Sequence, residues 1–117
     1  MTLPWGFGHA AAMDTLLRLE HTIAARLASG EPGSSYVAQL HARGLPVIAR
    51  KLGEEAVEAI VAALGPERGD LVGEAADVLF HLLVLLAAKD VPLAEVLAEL
   101  DRREGTSGLD EKASRSA

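Results

Sequence analysis

No cysteine occurs in the 117 residues. That absence excludes a disulfide framework, a zinc-thiolate site, an iron-sulfur cluster and a cysteine nucleophile, and it suits a reducing compartment, with the cytoplasm as the expected location. Basic residues are outnumbered: 11 Lys and Arg stand against 17 Asp and Glu, a formal charge of −6. The electrostatic footprint of a duplex-binding surface is therefore missing, and no nucleic-acid partner is expected. An anionic small molecule stays compatible with this charge, because a metal ion and a few local cations reverse the field inside one pocket. No Lys or Arg precedes Arg18, and residues 1–13 lack an apolar stretch, so no secretory signal is expected. The richest apolar run, Ala75 to Ala88, is interrupted by Asp77 and His81 and is shorter than the ~20 residues of a membrane span, so it reads as a buried helix with no membrane partner.

Half of the residues are hydrophobic, enough for one core in a chain of this length. Residues 1–12 show no helical or alternating period and read as a flexible N-terminal tail. Residues 13–104 read as an all-α domain of about five helices, and residues 105–117, small, polar and charged, as a flexible C-terminal tail. Asp14 is the expected cap of the first helix, whose apolar positions Leu16, Leu17, Ile23, Ala24 and Leu27 keep to one side until the Ser29 to Gly33 breaker. Ser34 or Ser35 caps a short second helix, and Gly44 suits a left-handed position after its end. Pro46 opens a long third helix that Gly65 and Pro66 stop; a fourth follows from about Glu67 or Asp70 to Ala88, and Pro92 starts a fifth. No strand is expected.

On the third helix, Ile48, Leu52, Ala56, Ile60 and Leu64 form an apolar arc, with Lys51, Glu54, Glu55 and Glu58 on the opposite stripe. The fourth helix is apolar over most of its circumference and must be largely buried, yet it carries Glu74, Asp77 and His81 at i, i+3 and i+7, within a strip of roughly 60°. Carboxylates on a core helix need a partner, since burying an ionised group uncompensated costs several kcal/mol. The short turn between the two helices makes them antiparallel neighbours and brings Glu55 and Glu58 opposite Glu74 and Asp77. Four carboxylates sharing one pocket call for a cation, and an all-oxygen donor set suits Mg²⁺ or Mn²⁺ rather than zinc. A di-iron centre is disfavoured, because such bundles place His three residues after Glu, where this chain has Val61 and Asp77. The plainer alternative pairs these acids with Arg50, Lys51, Arg43 or Arg68, or leaves them on a solvated face. His81 either orients a carboxylate, touches a phosphate or is a satisfied core histidine. With helix four apolar nearly all round and few helices to cover it, a homodimer is expected to complete the bundle.

Lys51-Leu-Gly-Glu54-Glu55-Ala-Val-Glu58, followed after fifteen intervening residues by Glu74-Ala-Ala-Asp77, resembles the EExxE and ExxD motifs of the all-α, MazG-like nucleotide pyrophosphohydrolases. Within that superfamily, Gly33-Ser34-Ser35-Tyr36, Leu40, Gly44, the run from Glu74 through Phe80-His81, and the closing Arg102-Arg103-Glu104-Gly105-Thr106-Ser107-Gly108-Leu109 resemble the phosphoribosyl-ATP pyrophosphohydrolases of histidine biosynthesis. Met1 to Ala12 have no recognised counterpart there. The resemblance implies a MazG-like fold and Mg²⁺-dependent hydrolysis of the α,β-phosphoanhydride of N1-(5-phosphoribosyl)-ATP to phosphoribosyl-AMP and pyrophosphate. It implies Glu55, Glu58, Glu74 and Asp77 as metal ligands, with Glu55, Glu58 and Glu54 in the catalytic set, Glu54 as a ligand or the group that orients the attacking water. Lys51 is the implied phosphate contact, and Ser35, Tyr36 and His81 are candidate substrate contacts, although a helix cap and a packing aromatic explain Ser35 and Tyr36 equally well. A house-cleaning pyrophosphatase acting on free or damaged nucleoside triphosphates would share the same metal chemistry, and a non-catalytic helical adaptor binding a basic partner is the alternative of a different class.

Overall fold

The computed structural model describes residues 8–104 together with Lys112 and Arg115. Over residues 8–104 five α-helices follow in order: α1 (Gly8–Ser29), α2 (Tyr36–Arg43), α3 (Leu45–Leu64), α4 (Arg68–Ala88) and α5 (Leu93–Arg103), with a 3₁₀ turn (Pro32–Ser34) before α2. No strand occurs among the described residues. The all-α expectation holds, and most helix ends lie within a residue or two of the breakers that mark them in sequence.

Helix α1 is the exception. It begins at Gly8, so Asp14 lies inside the helix instead of capping it, and residues 8–12 belong to the helix rather than to a tail. The stretch His9 to Met13 contains three consecutive alanines, the residue with the highest helix propensity, which carries the helix upstream of the expected cap. Residues 1–7, the remainder of the expected N-terminal tail, and most of the expected C-terminal tail lie outside the described residues.

Between α2 and α3 the chain turns on Gly44 alone. Its φ of 96° is open to glycine, but its ψ of 166° is extended rather than left-handed helical, because this residue closes α2 and opens α3 at once. Its N–H donates to the Leu40 and His41 carbonyls, and its own carbonyl accepts from Val47 and Ile48. Ser35, not Ser34, caps α2: its Oγ accepts from the Ala38 N–H at 3.0 Å. At α5 the cap comes from far away in sequence, with Glu20 of α1 accepting from the Leu93 N–H at 2.7 Å.

The core gathers Ile23 of α1, Val37 and Leu40 of α2, Ile48 at the start of α3, Leu83 and Val84 in the second half of α4, and Leu93 of α5. Each fully buried aliphatic side chain contributes about 1.5–3 kcal/mol relative to exposure. Because α3 and α4 are antiparallel, the core holds the first turns of α3 and the last turns of α4, and the far end of the hairpin projects beyond it.

That projection corrects two expectations. Of the expected apolar arc on α3, Ile48 is buried and Leu52 and Ala56 are half-buried, but Ile60 and Leu64 are 60% and 85% exposed. Helix α4 is buried only in its second half, while Leu71, Val72 and Leu79 are exposed. One chain supplies a single layer of helix at that end, with nothing on its other side among the described residues. Helix α4 starts at Arg68, within the expected bounds, and its 21 residues are by length and composition apolar enough to cross a membrane. Core helices of soluble proteins pass the same test, and this one carries Glu74 and Asp77.

Candidate metal centre

Helix α3 presents Glu55 and Glu58 on successive turns of one face, and the antiparallel packing of α4 sets Glu74 opposite them. One carboxylate oxygen from each of the three lies within 4.8 Å of the others. Glu55 and Glu74 each hold an Oε2 that is buried and has no hydrogen-bonding partner among the described residues. An unpaired buried acceptor with a full charge is costly, and two of them facing a third carboxylate need a cation.

Local protein cations do not meet that need. Lys51 Nζ stands 3.4 Å from Glu54 Oε1 and 4.0 Å from Glu55 Oε1, and Arg50 Nε stands 3.4 Å from Glu54 Oε2. The plainer pairing thus holds for Glu54 and reaches one edge of Glu55, but among the described residues no cation is within ion-pairing distance of Glu58, Glu74 or Asp77. A proton serves instead. Glu55 is pushed up to about 7, chiefly by a hydrogen bond shared with Glu58, then by burial and by repulsion from Glu58, Asp77 and Glu74. Glu74 is also raised, first by burial and then by the charge of Glu58. A hard divalent ion at this point would replace the shared proton and satisfy the orphaned oxygens, and an all-carboxylate donor set selects such an ion over softer metals.

Asp77 is exposed and outside the close group of three, although its charge acts on both Glu55 and Glu74. The expected convergence of four acids therefore resolves into three at the centre and Asp77 at the rim. Glu54 is half-exposed and occupied by Arg50 and Lys51.

Beside the acids stands a second group. Lys51 is raised above its ordinary range, first by its electrostatic interaction with Tyr36 and then by its hydrogen bond to Glu54. His81 is only 4% exposed, its Nδ1 has no partner among the described residues, and its ring meets Tyr36 and Phe80 edge-on at 5.8 and 5.2 Å. Burial, then the nearby Lys51 charge, lowers its pKa and favours the neutral imidazole. No hydrogen bond joins His81 to Asp77 among the described residues. The Ser35 hydroxyl is committed to the α2 cap. Phe80, to which its place in the sequence assigns no role of its own, stacks on Tyr36, a contact that only the fold creates.

Two stripes of carboxylate on one helix hairpin, with a lysine and a buried histidine alongside, form a site suited to a metal-bound polyphosphate. Over residues 16–104 the sequence matches the family described as phosphoribosyl-ATP pyrophosphohydrolase. The chain belongs to that family. Curated relatives of the phosphoribosyl-ATP pyrophosphohydrolase family carry the name phosphoribosyl-ATP pyrophosphatase. The chain is 65% identical to one from Novosphingobium aromaticivorans over 88% of its own length and 95% of the relative. It is 64% identical to one from Erythrobacter litoralis, over 88% and 98%. With one from Dinoroseobacter shibae the identity is 62%, over 88% and 100%. In this phosphoribosyl-ATP pyrophosphohydrolase fold the motif acids Glu55, Glu58 and Glu74 meet at the middle of the hairpin, with the half-buried Lys51 one turn away toward the core.

Proposed function

We propose that this chain hydrolyses the α,β-phosphoanhydride of N1-(5-phosphoribosyl)-ATP, giving phosphoribosyl-AMP and pyrophosphate, as a step of histidine biosynthesis in the cytoplasm. The observation that carries the reading is the meeting of three carboxylates, two with orphaned buried oxygens, in a chain whose family and relatives bear this activity in their names. Glu55, Glu58 and Glu74 hold Mg²⁺, or Mn²⁺ in its place, and Asp77 completes the donor set from the rim. The ion, when bound, neutralises phosphate oxygens and polarises the phosphorus toward attack by water.

The chain's own side chains do the rest. Lys51 places its ammonium beside the cluster to bind a phosphate oxygen, and Glu54, held by Arg50 and Lys51, accepts a hydrogen bond from the attacking water. No covalent protein intermediate is needed. His81, neutral and dry, supports the wall on which the substrate rests.

We further propose a homodimer with two-fold symmetry, supported by the apolar end of the hairpin: Val57, Ile60, Val61, Leu64 and Val72 are each at least 59% exposed. A second copy laid against this face would bury it and bring both acidic clusters into the grooves of one bundle.

Incubation of the protein and Mg²⁺ with phosphoribosyl-ATP or, separately, a panel of common nucleoside triphosphates tests the activity, with pyrophosphate and the nucleotide product quantified. Turnover of phosphoribosyl-ATP in strong preference is the expected result. Preference for the common triphosphates would assign a house-cleaning role instead, and no turnover of either would leave only binding.

A further inference from the structure

Aromatic residues are scarce in this chain: one Trp, one Tyr and two Phe in 117 residues. The two among the described residues, Tyr36 and Phe80, stand together, their ring centroids 6.1 Å apart and their planes 23° from parallel. His81 closes the group from its edge. Phe80 is partly buried and packs against the core, whereas Tyr36 is 45% exposed. The pair thus has one anchored ring and one open ring. Ser35 fixes the open one, because the cap it makes to Ala38 locks the first turn of α2, where Tyr36 is the first residue. Lys51, ion-paired to Glu54 and Glu55, lies within electrostatic range of Tyr36 and links the rings to the acids.

Packing accounts for Phe80 but not for Tyr36, since a ring placed for the core would be covered. A rigid, half-exposed ring, backed by a second ring and next to a phosphate-binding lysine, is the geometry of a base-stacking platform. We propose that Tyr36, backed by Phe80, stacks on the adenine ring of the substrate and favours a base alkylated at N1 over ordinary adenine. This rests on the pyrophosphohydrolase reading of the same site and adds to it the source of selectivity. An adenine alkylated at N1 that keeps both hydrogens on its exocyclic nitrogen carries a positive charge spread over the ring. Such a cation is drawn to an aromatic face and to the surrounding carboxylates, whereas neutral adenine gains the stacking alone.

The probes are N1-methyl-AMP and AMP, titrated into the full-length protein in the presence of Mg²⁺ and followed by calorimetry and proton NMR. N1-methyl-AMP should bind on the order of tenfold more tightly than AMP. Its base and methyl protons should move upfield under the ring current. Tyr36→Leu should lose the preference and Tyr36→Phe should keep it, with both variants melting near the wild type. With phosphoribosyl-ATP as substrate, Tyr36→Leu should raise KM about tenfold and leave kcat within about threefold. Equal binding of the two nucleotides to wild type, no upfield shift, or an undiminished preference in Tyr36→Leu would overturn the proposal. The binding comparison needs no turnover, so a wild type that released no pyrophosphate from phosphoribosyl-ATP would overturn the activity alone. The NMR shift needs no variant, so the proposal is decided even if Tyr36→Leu fails to fold.

Discussion

Glu55 on α3 and Glu74 on α4 face each other across the hairpin, each with one buried oxygen that no donor reaches among the described residues. With Glu58 they form a set whose oxygens lie within 4.8 Å of one another. Repulsion of this kind is stored in the folded state until a proton or a metal relieves it.

The members of the acidic set should differ in importance. Glu58→Gln removes a central charge with nearly the same volume and is expected to lower turnover by at least about a hundredfold, with melting temperature unchanged or raised. Asp77→Asn, at the rim, should act more weakly and mainly raise the Mg²⁺ concentration needed for half-maximal rate. Pyrophosphate release measured across a Mg²⁺ titration checks both; wild-type turnover in Glu58→Gln would remove that residue from the mechanism.

Metal should stabilise the fold by binding it in preference to the unfolded chain. At a hundredfold excess over Kd, Mg²⁺ or Mn²⁺ should raise the melting temperature by roughly 8–14 °C. The rise should be clearly smaller in Glu74→Gln. Equal shifts in the two proteins would place the ion elsewhere.

Stability without metal should depend on pH in a direction fixed by Glu55. Its folded pKa is raised from 4.5 to about 7, so between those values the folded state holds a proton that the unfolded state has released. Stability therefore falls as pH rises from about 4.5 through about 7, and is lowest above that window. Glu74, also raised, acts in the same sense, while the lowered His81 acts in the opposite one. The difference in melting temperature between wild type and Glu55→Gln, followed in EDTA from pH 4.5 to 8, isolates the Glu55 contribution: the variant should gain on the wild type as pH rises. Added Mg²⁺ should remove most of that difference, and a constant difference at all pH values would contradict the shared proton.

The exposed end of the hairpin makes the dimer testable at residues that the core does not use. Leu83 is buried within its own chain and Leu86 packs against the same core, so neither reports cleanly on assembly. Ile60→Asp combined with Val61→Asp should convert a species of twice 12.3 kDa into a monomer in light scattering, with the far-ultraviolet helical signal retained. A wild type that is already monomeric at micromolar concentration with full activity would end the dimer proposal.

Removal of the remote cap should be felt at α5. Glu20→Ala deletes the acceptor of the Leu93 N–H and should cost about 1 kcal/mol, typical of a lost helix cap, with no change in Mg²⁺ affinity. Thermal melting with and without Mg²⁺ checks it; an unchanged melting temperature would mean that water replaces the cap without loss.

Local chemistry was legible in the sequence. Pro46, Gly65, Pro66 and Pro92 punctuate the chain wherever the backbone cannot continue a helix, Ser35 caps by a contact three residues away, and the 3.6-residue period puts Glu55 beside Glu58 without any knowledge of the rest. Even the opposition of Glu74 followed from a turn too short to allow anything but an antiparallel hairpin. What remained hidden depended on distance in space. Periodicity marks an apolar stripe but not what covers it, so Ile60 and Leu64 looked like core and are bare. Equal spacing on one helix does not fix how far two helices are rotated about their axes, so Asp77 falls to the rim while Glu74 stays at the centre. The cap from Glu20 to Leu93 and the stacking of Tyr36 on Phe80 join residues from separate helices. Only packing of the whole chain brings such residues into contact, because no local rule relates them.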